Sequence, residues 1–255
     1  MLAGDRRGGG GSKSRTDCLP LLSPLRIFVR LKGEKKMKQL VIFDLDGTLL
    51  NTIADLAMST NYALRCCGFP EHDVQEYLYF VGNGITKLFE RALPEASRSA
   101  ENIARMRTCF LEYYTEHNTD CTRPYDGIAQ LLATLSDRGV KMAVASNKYQ
   151  AGTEKLIRHF FPEVPFVAVL GQREGVPVKP APDIVYDIMQ RAGVGKADTL
   201  YVGDSDVDMC TARAAGVESA GVTWGFRGRD ELSRAGACHL VDTPDALLSL
   251  CGIGV

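Results

Sequence analysis

The chain has eight cysteines but no Cys-x-x-Cys pair, and none of its four histidines falls at a spacing that suggests zinc. Zinc-finger and dithiol-redox readings are thereby set aside. Cys66 and Cys67 are adjacent in a helical pattern, where buried thiols behave as small apolar groups. Scattered thiols of this kind fit a reducing compartment, so a cytoplasmic protein is expected. No window approaches the apolar length that spans a bilayer, and no membrane partner is expected. Net charge is also nearly absent, at −1, but it is unevenly spread. Residues 1–36 hold nine Lys/Arg and three Asp/Glu, which leaves 21 basic and 28 acidic groups in residues 37–255. An acidic body of this kind is a poor electrostatic match for nucleic acid, so none is expected as a partner. The oligomeric state is not legible.

The 255 residues, 45% of them apolar, suffice for one large domain or one domain with an insert. The first 36 residues read differently from the rest. A glycine run covers Gly8–Gly11, and Pro20 and Pro24 interrupt the apolar stretch Leu19–Val29. Arg26 and Arg30 break what would be the apolar core of a secretory signal. The segment 1–36 is expected to be a disordered extension, with Met37 opening the functional protein.

Val41-Ile42-Phe43-Asp44-Leu45-Asp46-Gly47-Thr48-Leu49 carries the most information. Its apolar start reads as a buried strand, and Gly47 lets the chain leave the sheet sharply. Residues i and i+2 of extended backbone point the same way, so Asp44 and Asp46 can serve one site. Two desolvated acids so close are stable mainly when a hard cation sits with them.

Helical patterns follow at 51–67, 71–79, 83–93 and 98–117, with no convincing strand among them. After Pro124 the pattern alternates. A helix capped by Asp126 runs to Arg138, Val140–Ala145 is a strand, and a helix covers 150–160. Phe166–Leu170 is a strand, a helix starts near Pro182, Thr199–Val202 is a strand and a helix spans 206–215. Glu218–Trp224 and His239–Val241 complete the strands, with helices near 229–235 and 244–250. Alternation of this kind predicts an α/β fold: a mostly parallel, Rossmann-like sheet covered on both faces, with an inserted helical domain. Ligands of such sheets bind beyond the carboxyl ends of the strands.

The polar residues fall there. Ser146-Asn147-Lys148 follows one strand and can cradle phosphate with its hydroxyl and turn amides. Lys179 sits in the proline-fixed loop Val178-Lys179-Pro180-Ala181-Pro182. Gly203-Asp204-Ser205-Asp206-Val207-Asp208 ends a third strand with acids at alternate positions.

In this order, the Asp pair with Gly47 and Thr48, then Ser146, Lys179, and Gly203-Asp204 with Asp208, the chain resembles the haloacid dehalogenase superfamily of phosphotransferases over residues 38–245. The resemblance implies a core of residues 37–51 and 124–255, with a helical cap at 52–123. It implies Asp44 as nucleophile, Asp46 as general acid and base, and Mg²⁺ held by Asp44, Asp204 and the main-chain carbonyl of Asp46, with Asp208 orienting that shell. Ser146, the amide of Asn147 and Lys179 would bind phosphate, and Thr48, counted with them among the substrate-binding residues, would brace the loop beside them. Asp46 favours phosphate esters, because a halide leaving group needs no acid.

The segment Phe80–Leu93 and the segment Gly221–Phe226 further resemble the phosphoglycolate phosphatases. That likeness implies Gly82, Asn83 and Gly84 at the substrate, and Lys87 or Arg91 as a partner for its carboxylate. A small phosphate monoester, 2-phosphoglycolate above all, is the expected substrate. Three other readings stay open: a sugar phosphomutase of the beta-phosphoglucomutase kind, a relative acting on pyrophosphate, sugar phosphates or nucleotides, and a binding protein without turnover.

Overall fold

The computed structural model describes residues 36–254, so the expected extension lies, up to residue 35, outside the described residues. The apolar run Leu40–Phe43 forms strand β1, and all four of its residues are buried. A strand with apolar side chains on both faces belongs in the middle of a covered sheet. β1 accordingly pairs in parallel with β4 (Lys141–Tyr149) on one side and β6 (Thr199–Gly203) on the other. With β5 (Phe166–Gln172), β7 (Glu218–Val222) and β8 (His239–Val241), the sheet order is β5-β4-β1-β6-β7-β8.

The two-residue period of β1 sorts its side chains between two cores. Val41 and Phe43 join a cluster with α5 (Ile128–Asp137), α6 (Gln150–Phe160) and α10 (Pro244–Leu250). Leu40 and Ile42 join the opposite cluster with α7 (Asp183–Ala192) and α8 (Asp206–Ala215). The chain leaves β1 toward β4 on one side and later returns to its other side as β6, which opens a crevice at the carboxyl ends of β1 and β6.

Between β1 and the rest of the sheet lie α1 (Ile53–Cys67), α2 (Val74–Phe80), α3 (Ile85–Ala92) and α4 (Ala100–His117). They share a separate apolar cluster that includes Leu64, Tyr77, Phe89, Met106 and Phe110. Both ends of this insert meet in a short antiparallel pair, β2 (Leu50–Asn51) with β3 (Arg123–Pro124). Buried Asp55 locks the same junction by accepting hydrogen bonds from the amides of Cys121 (2.9 Å) and Thr122 (2.8 Å) and from the Thr122 hydroxyl (2.7 Å).

Several sequence expectations need correction in detail. Asp126 does not cap α5; Gly127, at φ +82°, occupies the cap position and delays the helix to Ile128. β4 runs on from Ala145 to Tyr149 through a bulge, pairing Tyr149 with Gln172. Gly171 makes that path possible, since a Cβ there would sit 2.5 Å from the Lys148 carbonyl. α2 starts at Val74 rather than 71, where Asp73 and Glu76 form a capping box. β2 and β3, at two residues each, are too short to carry a periodic signal. Among the described residues, no helix is long and apolar enough to cross a membrane.

Candidate active site

The backbone fixes the first acid. The Asp44 amide donates to the Val202 carbonyl (2.9 Å), continuing the β1–β6 ladder by one residue, so Asp44 leaves β1 beside the exit of β6. Asp204 follows the last residue of β6, and Asp208 lies in the first turn of α8. Ser205 caps that helix, donating through its amide (3.1 Å) and hydroxyl (2.6 Å) to one Asp208 oxygen. Carboxylate oxygens of Asp44, Asp204 and Asp208 thus come within 4.8 Å of one another.

Two glycines let Asp204 sit this close to the β1 loop. A Cβ on Gly47, whose φ is +87°, would lie 2.2 Å from Asp204 Oδ2, and one on Gly225 would lie 2.3 Å from the Asp204 Cβ. In the space so left, Asp204 accepts from Thr48 Oγ1 (3.0 Å) and the Phe226 amide (2.8 Å). The Trp224 indole donates to the Thr48 carbonyl (3.1 Å), which secures the loop from outside.

Charge is unbalanced here. Asp44, Asp204 and Asp208 are 7%, 2% and 0% exposed, and Lys179 is the cation in contact with Asp44 and Asp208. Its ammonium lies 3.0 Å from Asp44 Oδ1 and 2.8 Å from Asp208 Oδ1, and it donates to the Ala145 carbonyl (3.0 Å). Burial works against that ammonium, but Asp208 and Asp44 outweigh it and keep Lys179 protonated. Burial, then the charge of Asp208, pushes Asp44 well above the carboxylate range, with Lys179 opposing. The same two causes raise Asp204 to about 7. With all three carboxylates ionised, one ammonium would leave an excess of two negative charges, which one divalent cation would cancel. Carboxylate oxygens are the donors a hard cation takes, so the cluster can hold a metal ion.

Asp46 is held apart from this cluster. It accepts from Thr52 Oγ1 (2.7 Å) and from both approaches of Lys148 Nζ (2.9 and 3.1 Å). Burial opposes the Lys148 charge, and Asp46 more than restores it. Asp44, Asp46, Ser146, Asn147 and Lys148 form one wall of a cavity of about 520 Å³, counted to its open mouth. Gly82 and Gly84 lie on the opposite wall with apolar residues of the helical insert. Asn147 stitches the two walls together: its Nδ2 donates to the carbonyls of Gly82 and Lys179 (both 3.1 Å), and its Oδ1 accepts from the Lys179 amide (2.9 Å). Arg227 adds a second stitch, from Nη2 to the Val81 carbonyl (3.1 Å).

Of the residues singled out from sequence, Asp44, Asp46, Ser146, Asn147, Gly82 and Gly84 line the cavity. Lys179 and Asp204 stand behind it, against Asp44 and Thr48 respectively. Thr48 is fully buried, and its hydroxyl donates to Asp204. The Asn83 side chain turns to Arg91 (2.7 Å), whose guanidinium also holds the Tyr79 and Phe80 carbonyls. Lys87 pairs with Glu90. Sequence reasoning passed over Lys148, Thr52, Tyr114 and Arg227. For Lys148 its place directly after Ser146-Asn147 was a usable signal; for the others there was none.

The haloacid dehalogenase-like hydrolase family matches residues 41–222. A phosphoglycolate phosphatase of Mesorhizobium japonicum is 33% identical over 75% of this chain and 86% of its own length. Another, of Vibrio parahaemolyticus, is 28% identical over 84% of this chain and 96% of its own. The solved structure of a Lactobacillus delbrueckii subsp. bulgaricus protein, provisionally named for the same activity, superposes with a TM-score of 0.79 at 32% identity. It covers 86% of this chain, and the match spans 100% of that protein.

Proposed function

Because the chain belongs to the haloacid dehalogenase-like hydrolase family, we propose that it is a phosphatase for a small phosphate monoester, 2-phosphoglycolate first, working through a phosphoryl group carried on Asp44. The observation that carries this reading is the buried cluster of Asp44, Asp204 and Asp208, with Lys179 against two of them, beside a cavity lined by Asp44 and Asp46. The names of the relatives supply the choice of ester.

In this reading an Asp44 oxygen attacks phosphorus, and the bond from phosphorus to the leaving oxygen breaks. Asp46 gives its proton to that oxygen, so the alcohol departs neutral. Asp46 then takes a proton from water as the water attacks the aspartyl phosphate, and Asp44 is released with inorganic phosphate. Ser146 and the Asn147 amide bind the phosphate oxygens, and Lys179 offsets their repulsion from Asp44. The amides of Gly82 and Gly84 close on the ligand from the other wall.

Asp44, Asp204 and the Asp46 carbonyl would hold Mg²⁺, with Asp208 orienting them through Lys179 and Ser205. Bound there, Mg²⁺ supplies positive charge against the oxygens of the phosphoryl group. The chain divides in this account into a core of residues 37–51 and 124–255 and a cap of residues 52–123 that excludes water. The β2–β3 pair at the insert's two ends and its separate apolar cluster support that division. A panel of phosphate esters, scored by released phosphate, tests the proposal. Release from 2-phosphoglycolate with Mg²⁺, lost on chelation and in a folded Asp44→Asn variant, is expected. No release from any ester, or substantial turnover by Asp44→Asn, would overturn it.

A further inference from the structure

The cavity has one feature that the reaction above does not use. Its far wall is built from Leu56, Ile85, Leu88 and Phe110, and among the described residues Lys148 is the one cationic side chain that lines it. Next to Lys148 stands Tyr114, fully buried, with the ammonium 5.0 Å from its ring centroid. The Tyr114 hydroxyl makes no hydrogen bond of ordinary geometry, although the Lys148 ammonium interacts with it. An ammonium can only donate, so the Tyr114 O–H still lacks an acceptor; at a cavity wall that marks a place where a ligand atom can accept from it.

We propose that Lys148 and Tyr114 form the pocket that reads the substrate's second anion, the carboxylate on its leaving alcohol. This rests on the phosphatase reading and extends it to selectivity. With phosphate at Asp44, the rest of the ester points past Asp46 toward the helical insert, where Lys148 is the one cation among the described lining residues and Tyr114 and Tyr149 stand beside it. A carboxylate arriving there accepts from the Tyr114 hydroxyl and draws the Lys148 ammonium off Asp46. In the absence of such an anion, Lys148 stays on both Asp46 oxygens (2.9 and 3.1 Å) and blocks the one that must face the leaving oxygen. An ester of the same length without a carboxylate therefore meets an obstructed acid, whereas a carboxylated ester clears it by binding. A site built around polar groups rejects a ligand that cannot pair them far more strongly than an apolar pocket rejects a missing methylene.

The test compares kcat/KM for 2-phosphoglycolate and for ethyl phosphate, which is close in length and lacks the carboxylate, on the full chain with Mg²⁺. The wild type is expected to favour 2-phosphoglycolate by at least about 100-fold. Lys148→Met is expected to bring that ratio within about 10-fold, and Tyr114→Phe to lower it about 10-fold, mainly through KM for the carboxylated ester. Should Lys148→Met fail to fold, as judged by circular dichroism, Tyr114→Phe removes one hydroxyl only and carries the test. Glycolate alone should also raise the melting temperature of the wild type and not of Tyr114→Phe. If the wild type turns over 2-phosphoglycolate but both variants lose activity on the two esters in equal proportion, Lys148 acts only through Asp46 and the pocket is refuted. If the wild type hydrolyses neither ester, the choice of 2-phosphoglycolate fails and the pocket with it, whereas the phosphatase reading falls only if the whole ester panel releases no phosphate.

Discussion

Gly47→Ala should damage this protein in two separable ways, and Gly139→Ala supplies the control. Both glycines have positive φ, +87° and +70°, so an alanine at either one carries the left-handed strain of an L-residue, about 1–2 kcal/mol. At Gly139 nothing lies within 4 Å of the new Cβ. At Gly47 it would sit 2.2 Å from Asp204 Oδ2, where ordinary contact begins at 3.4 Å. The carboxylate must therefore retreat by more than an ångström. That move takes it from Thr48 Oγ1 and the Phe226 amide, two hydrogen bonds to a charged group worth about 1.5–3 kcal/mol each. Gly47→Ala should then cost about 3 kcal/mol more than Gly139→Ala, a gap of about 6–12 °C in melting temperature for a body of this size. A misplacement of one ångström in a reacting constellation can cost about 100-fold, so kcat/KM should fall by at least that much in Gly47→Ala and stay within about twofold in Gly139→Ala. Differential scanning fluorimetry and phosphate release measure both quantities. Equal melting losses with unchanged kcat/KM in Gly47→Ala would refute the claim that this glycine makes room for Asp204.

Two further outcomes follow from the same structure. In the metal-free protein Asp204 is raised to about 7, so it carries a proton below that pH and must release it when a dication binds. Asp44 is raised by the same burial and must give up its proton too, so divalent-metal affinity should rise with pH through 7, with proton release detectable by calorimetry in buffers of different ionisation enthalpy; affinity that is flat from pH 5 to 8 would contradict this. Asp55→Ala strips three donors at the base of the helical insert of their acceptor and should lower stability by about 3 kcal/mol or more, or roughly 6–12 °C. A shift below about 2 °C would show that this junction is held by something else.

The site was legible in sequence where the fold places chemistry at strand ends. Asp44 and Asp204 could be picked out because each directly follows an apolar strand, and parallel pairing of those strands brings the two exits together. The contacts made by basic side chains were less legible. Lys148 reaches Asp46 across 102 positions, and Arg227 reaches Val81 across 146. Such contacts depend on the path of each loop after its strand, which periodicity does not encode. Local chemistry misled in one place: Asp126 has the right side chain for a cap, but the positive φ of Gly127 moves the helix start beyond it. The bulge between Ala145 and Tyr149 was hidden for a related reason. It depends on space at Gly171, on the neighbouring strand, and not on Ser146-Asn147-Lys148 alone. The N-terminal residues up to 35 lie outside what the structure describes.

Rapid-quench labelling tests the central claim most directly. The protein is mixed with radiolabelled 2-phosphoglycolate and Mg²⁺, stopped in acid within one turnover and digested. The account predicts label on the peptide that contains Asp44, sensitive to hydroxylamine and missing from Asp44→Asn. Turnover at full rate with no label on that peptide, or with label on a different residue, would contradict it.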